Sequence, residues 1–159
     1  KEEMAEVYEL AGQEDKADSI LNWLVNTMSK DVESGEHDET AGHYADKELA
    51  YVYLKAGNYN KALEHALAEY NRRPDNIEVN ETLAWVYYHR KEYDKSLPYL
   101  GEALKTKSKN PVLLCRAGLT YAKAGDKAKA RLLLDELANS NFSIPESLKR
   151  QSINELQTL

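Results

Sequence analysis

Apolar and polar positions along the chain recur on two scales. At short range, Ala50, Tyr53 and Leu54 follow one another at helical spacing until Gly57 and Asn58 interrupt, and a second periodic run extends from Tyr59 to Asn71. Such spacing predicts a helix, a turn and a second helix. At long range, the stretch from His43 to Asn76 overlays a copy of its own pattern displaced by about 34 residues, and then a third copy. The overlay aligns Tyr53, Tyr87 and Tyr121 in one column, Leu49, Leu83 and Ala117 in another, and Ala50, Ala84 and Gly118 in a third. Small residues recur at Ala62, Ser96 and Ala130, and the larger Leu100 and Leu134 occupy a column that begins with Ala66. Small side chains let paired helices approach closely while Tyr and Leu fill the space beside them.

The punctuation between the runs agrees with this order. Gly57 and Gly125 stand where a helix ends in a left-handed residue, and Lys91, in the middle copy, takes that place at a cost in strain. Pro74 stops one helix, with Asp75 or Asn76 starting the next; Asn110 caps the helix after that, with Pro111 in its first position. Pro98 falls early in a second helix, where its missing donor costs little. Residues 1–30 read as a leading repeat whose first helix is cut short, offset from the next copy by an insertion. Its second helix, from about Glu14 to Lys30, carries Ile20, Leu21, Leu24, Val25 and Met28 on one side, with Trp23 extending the stripe. Residues 31–42 contain Ser34, Gly35 and five acidic side chains and read as an exposed inserted loop, with Asp38 or Thr40 capping the helix beyond. Repeats follow over 43–76, 77–110 and 111–142. After them, Ser143-x-x-Glu146 announces, by the capping-box rule, a closing helix over 143–159 whose apolar side is Ile144, Leu148, Ile153 and Leu156 and from which Lys149, Arg150 and Glu155 point away.

These columns resemble the tetratricopeptide repeat, whose pattern runs Trp-x2-Leu-Gly-x2-Tyr, then Ala-x3-Phe, then Pro. Leu49-Ala50-x2-Tyr53, Ala62-x3-Ala66 and Pro74 match it in one copy, Leu83-Ala84-x2-Tyr87 and Ser96-x3-Leu100 in the next, and Ala117-Gly118-x2-Tyr121 and Ala130-x3-Leu134 in the third. The opening tryptophan is replaced by Asp46, Asn80 and Leu114. The resemblance implies an all-α, right-handed superhelical solenoid of about four helix-turn-helix repeats with a capping helix, a single domain over 1–159.

Composition narrows the function. With 159 residues and a formal net charge of −6 the chain is a poor ligand for duplex nucleic acid, whose binding rests on cations at phosphates. Charge is uneven: residues 1–42 hold 12 Asp and Glu against 3 Lys, a net of −9, and residues 43–159 hold 15 against 18, a net of +3. The acidic front reads as a solvated surface or, alternatively, a dock for a basic partner. No run approaches the roughly 20 apolar residues of a membrane span, so no membrane insertion is expected. No charged-then-apolar leader opens the sequence. Cys115 reads as a small buried hydrophobe. The four histidines His37, His43, His65 and His89 match no zinc spacing, and neither a nucleophile with its base nor a phosphate loop is present; no catalysis, metal or cofactor is expected.

In the resembled family the first helix of each pair lines a concave groove that binds protein or peptide. Carried over, the groove positions are Tyr44, Lys47 and Tyr51, then Glu78, Glu81, Trp85, Tyr88 and His89, then Val112, Arg116, Leu119 and Lys123. Lys47, Tyr51, Glu81, Trp85, Tyr88, Arg116 and Leu119 form the expected contact set, with Trp85, Tyr51 and Tyr88 as aromatic anchors. The alternative for these aromatics is packing between repeats. The family's carboxylate clamp is matched only by Lys47 and Arg116, because Tyr51 and Thr82 occupy its asparagine places and Val112 a lysine place. The chain therefore reads as a non-catalytic binding scaffold for a protein or peptide ligand. The competing reading is a structural spacer or weakly self-associating module of a larger, even enzymatic, protein.

Overall fold

A computed structural model describes residues 4, 7–8, 11–35, 45–138 and 143–159. Among the described residues there are eight helices and no strand: α1 (Glu14–Gly35), α2 (Ala45–Lys55), α3 (Tyr59–Arg72), α4 (Ile77–His89), α5 (Tyr93–Leu104), α6 (Pro111–Lys123), α7 (Lys127–Ala138) and α8 (Glu146–Thr158). Met4, Val7 and Tyr8 are also helical. Each helix packs on its successor from α1 through α8, and in addition α2 packs on α4, α4 on α6 and α6 on α8. The even-numbered helices therefore stand side by side.

The aligned columns are the core. Leu49, Leu83, Ala117, Ala62, Ser96 and Ala130 are fully enclosed, and Ala66, Leu100 and Leu134 are nearly so. Ser96, the polar member of its column, donates from Oγ to the Ala84 carbonyl at 2.7 Å, which meets the cost of burying its hydroxyl. Gly118 shows how tight the approach is, since a β-carbon there would come within 2.6 Å of Leu134 Cδ2. Gly118→Val and Ala130→Leu should each destabilise the fold by about 1–3 kcal/mol through overpacking. Urea denaturation checks this, and unchanged midpoints for both would refute the close approach.

The turns follow their residues. Gly57 and Gly125 adopt φ of +70° and +89°, and Lys91 takes the same left-handed conformation at +61°. A side chain costs about 1–2 kcal/mol there, as the sequence leads one to expect of the middle copy. Asn76 Oδ1 accepts from the Val79 amide at 3.1 Å, and Asn110 Oδ1 from Val112 and Leu113 at 2.9 and 3.3 Å. Pro98 lies inside α5, before its midpoint.

Four expectations need correction. The helix expected to end at Lys30 continues to Gly35, so residues 31–35 are helix rather than loop. Nothing in Asp31–Ser34 stops propagation, and the first poor helix former is Gly35 itself. The rest of the expected loop, with His37, Asp38 and Thr40, lies outside the described residues, and so do His43 and the expected groove residue Tyr44. Trp23 is 47 % exposed, because Ala17, Leu21 and Leu24 form the buried side and Trp23 is set about 200° around the helix from Leu21. The capping box does not form: α8 starts after Pro145, which is extended at φ −50°, ψ 136° and offers no side-chain cap. A proline disfavours helical conformation in the residue before it, here Ile144, so Glu146 falls in the first turn rather than reaching back to a cap at Ser143. Finally, α8 buries Leu148 and Ser152 while Ile153 is 44 % exposed, and Glu155 turns inward to Lys123 at 2.5 Å.

Candidate functional site

The side chains expected to line a groove come from α2, α4 and α6, which the packing places next to one another. Lys47 Nζ on α2 donates to Glu78 Oε2 on α4 at 2.8 Å. Arg116 Nη1 on α6 donates to Tyr51 Oη on α2 and to Glu81 Oε1 on α4, both at 2.9 Å. Thr82 Oγ1 lies 3.1 Å from Tyr51 Oη and donates to its own helix at the Glu78 carbonyl, 2.8 Å away. The Arg116 guanidinium also rests over two rings, 5.1 Å from the centre of Tyr51 and 5.2 Å from that of Trp85. One cation is thereby shared by three helices.

Electrostatics follow the burial. Burial raises the carboxyl pKa of Glu81 above the usual range, with Arg116 opposing only in part. The hydrogen bond from Lys47 holds Glu78 below its usual value, and the same bond raises Lys47. Trp85 and Tyr88 stack with centres 4.5 Å apart and planes 9° apart, and His89 meets the Trp85 ring edge-on at 4.7 Å. Burial pushes the Tyr88 hydroxyl up to about 12, and burial followed by the nearby Arg116 charge pushes His89 down to about 4.

The structure thus brings six members of the expected contact set together, Lys47, Tyr51, Glu81, Trp85, Tyr88 and Arg116, but in different roles. Glu81, Trp85 and Tyr88 are buried, and Leu119 is wholly enclosed in the core. Leu119 therefore offers a ligand no surface. Trp85 and Tyr88 serve packing between helices, the alternative open to the aromatics from the sequence, whereas Tyr51 stays partly exposed. Lys47, Tyr51, Val112 and Arg116 keep partial exposure, and Glu78 stands out in solvent. Cys115 is buried as expected, its thiol 2.5 Å from Ser152 Oγ on α8 and its pKa raised by burial.

A second cluster, between α2 and α3, was not foreseen. Asp46 is bound by His65 Nδ1 at 2.7 Å and by Arg72, and the enclosed Glu69 is bound by Arg72 Nη2 at 2.7 Å and Arg73 Nε at 2.5 Å. Burial alone would raise the Asp46 pKa, but the bonds from His65 and Arg72 outweigh it and hold the carboxyl low. The available signal was a carboxylate in the tryptophan column together with Glu69, Arg72 and Arg73 at helical spacing. Among the described residues no group of His, Cys, Asp and Glu is arranged to hold a metal ion, and no helix is long and apolar enough to cross a membrane. No family model matches the chain, and no curated protein does.

Proposed function

We propose that this chain is a non-catalytic scaffold that binds a protein or peptide across the joint face of α2, α4 and α6. In this reading the helical pairs are tetratricopeptide-like repeats stacked as a right-handed solenoid, with α8 as the capping helix. The side-by-side packing of the even-numbered helices supports the stack. The observation that carries the binding reading is the row Lys47–Glu78, Tyr51 and Arg116–Glu81. These groups come from three helices and are held in place before any ligand arrives. Fixed side chains lose little entropy on binding. The accessible members, Lys47, Glu78, Tyr51 and Arg116, make the contacts, while Trp85, Tyr88, Glu81 and Leu119 support them from beneath. A ligand for this row carries both an acidic and a basic group, set to exchange with the Lys47–Glu78 pair, and an apolar group for the Tyr51 edge.

A random-peptide display selection against the chain, repeated on the Lys47→Glu, Glu78→Lys double variant, tests the reading. The exchange preserves the ion pair, so stability should hold within about 0.5 kcal/mol. Peptides enriched on the original should bind the variant at least about tenfold more weakly, by roughly 1.4 kcal/mol. Failure to enrich any peptide, or equal binding to both proteins, would remove the support for this face.

A further inference from the structure

Lys47 meets Glu78, and Tyr51 meets Thr82 and Arg116, so α2, α4 and α6 run parallel and in near register. Their carboxyl ends, and the turns into α3, α5 and α7, therefore lie along one edge. Arg90 Nη1, beside the second turn, donates to Asn60 Oδ1 beside the first at 2.5 Å. Residues 55–63, 89–97 and 123–131, one repeat apart, hold nine Lys and Arg against three Asp and Glu, a net of +6. All other positions of 45–138 hold seven against ten, a net of −3. Charge is thus segregated by position within the repeat.

The fold fixes part of this charge. Lys61 Nζ sits 5.3 Å from the centre of the Tyr53 ring and Lys129 Nζ 5.0 Å from that of Tyr121, each against the tyrosine of its own repeat. Lys91, Lys127 and Arg131 are exposed and make no ion pair among the described residues. Lys91 also carries strain. Gly57 and Gly125 occupy its position in the neighbouring turns, and it keeps their left-handed conformation at φ +61°, so the middle turn holds an unanswered cation where glycine would fit at less cost. Strained residues of this kind gather at functional sites.

We propose that this edge docks an acidic segment of a partner protein, laid across the three turns with its carboxylates on Lys91, Lys127 and Arg131. Glu92, Asp94 and Asp126 lie among the cations. A peptide can place its acids between them, whereas duplex nucleic acid, with a charge every 1.7 Å or about that, sets phosphates against all three. The edge is separate from the α2–α4–α6 face, so either can fail without the other.

Fluorescence anisotropy of a labelled oligo-glutamate peptide with the full chain tests it, with unlabelled peptide, duplex DNA and phosphatidylserine vesicles as competitors. Lys91→Gly should bind about fivefold more weakly, the change that one well-placed exposed charge pair gives. Its urea midpoint should be no lower than that of the original, because glycine suits the turn. Lys127→Glu with Arg131→Glu should weaken binding at least about twenty-fivefold, as two such pairs would. Lys107→Glu with Lys149→Glu, a matched charge change on the opposite edge, should leave affinity within about twofold, as should the Lys47→Glu, Glu78→Lys variant. An original that does not bind the peptide, a Lys91→Gly variant that binds as well as the original, or a control pair as weak as the edge pair would each overturn the proposal. So would DNA or vesicles that compete better than the unlabelled peptide.

Discussion

Arg116→Met should cost about 3–5 kcal/mol of stability, the penalty for removing one partner of a buried ion pair. Arg116 answers the buried Glu81 carboxylate, donates to the Tyr51 hydroxyl and lies over two aromatic rings. Methionine matches much of its apolar volume but leaves Glu81 charged and unanswered. Two controls separate this cause from lost packing. Adding Glu81→Gln to Arg116→Met should recover most of the loss, because the stranded charge disappears with its partner. Acidification should also narrow the deficit of the single variant, because a protonated Glu81 no longer needs a cation. Glu81 already titrates above its usual value, so the stability tied to its protonation is present below pH 4.5 and is lost as pH rises through the folded value. Urea titrations of the three proteins at neutral pH and near pH 5 provide the check. A single variant within 1 kcal/mol of the original at neutral pH would show that the Arg116–Glu81 pair contributes little.

His89 should make the fold sensitive to mild acid. Its pKa is lowered from 6.5 to about 4, first by burial and then by Arg116. Its ring lies against Trp85 and Tyr88 of α4 and Tyr59 of α3, while Arg116 of α6 supplies the repelling charge. A depressed folded value means that the contribution of neutral His89 is fully present above pH 6.5 and is lost as pH falls through about 4. At about 1.4 kcal/mol per unit, the loss reaches roughly 3 kcal/mol by pH 4. Carboxylates titrate in the same range, so the quantity to measure is the difference between the original and His89→Phe, which keeps an aromatic ring without the proton. That difference should shift by about 3 kcal/mol between pH 7 and pH 4, and parallel stability curves would show that His89 is charged in the fold without penalty.

Where side-chain size repeats, sequence and structure agree closely. Leu49, Leu83 and Ala117 were aligned by periodicity alone, and all three are enclosed. Size columns are legible because a close helix pair excludes large groups wherever it recurs. The site was legible in part. Helical spacing puts Lys47, Tyr51, Glu81 and Arg116 on comparable faces of their helices, but it carries no information about which charge meets which. Those partners lie 31, 35 and 65 residues apart. Spacing also cannot tell a groove lining from a seam between helices, which is why Leu119 and the Trp85–Tyr88 stack were expected at a surface and lie buried. In α8 a single proline shifted the helix start, and helical spacing sets Ser152 and Glu155, four and seven residues after Leu148, on the inward side with Ile153 about 140° away.

The three replacements in the tryptophan column have a consequence for how the chain could be rearranged. Asp46 is held by His65 and Arg72, Asn80 donates through Nδ2 to the Pro74 and Asn76 carbonyls at 2.6 and 2.9 Å, and Leu114 sits in apolar surroundings. Each buried position accepts only its own neighbours. Because His65 and Arg72 lie on α3, the α2–α3 pair carries the partners of its own carboxylate, whereas Asp46 placed alone in the α4 or α6 position would find no guanidinium there, at a cost of several kcal/mol. The first helices are therefore not interchangeable one for another. A first helix exchanged without the residues around it would dock poorly even though it formed, because each is matched to its own neighbours by a side chain that shares a column with the others and almost nothing else.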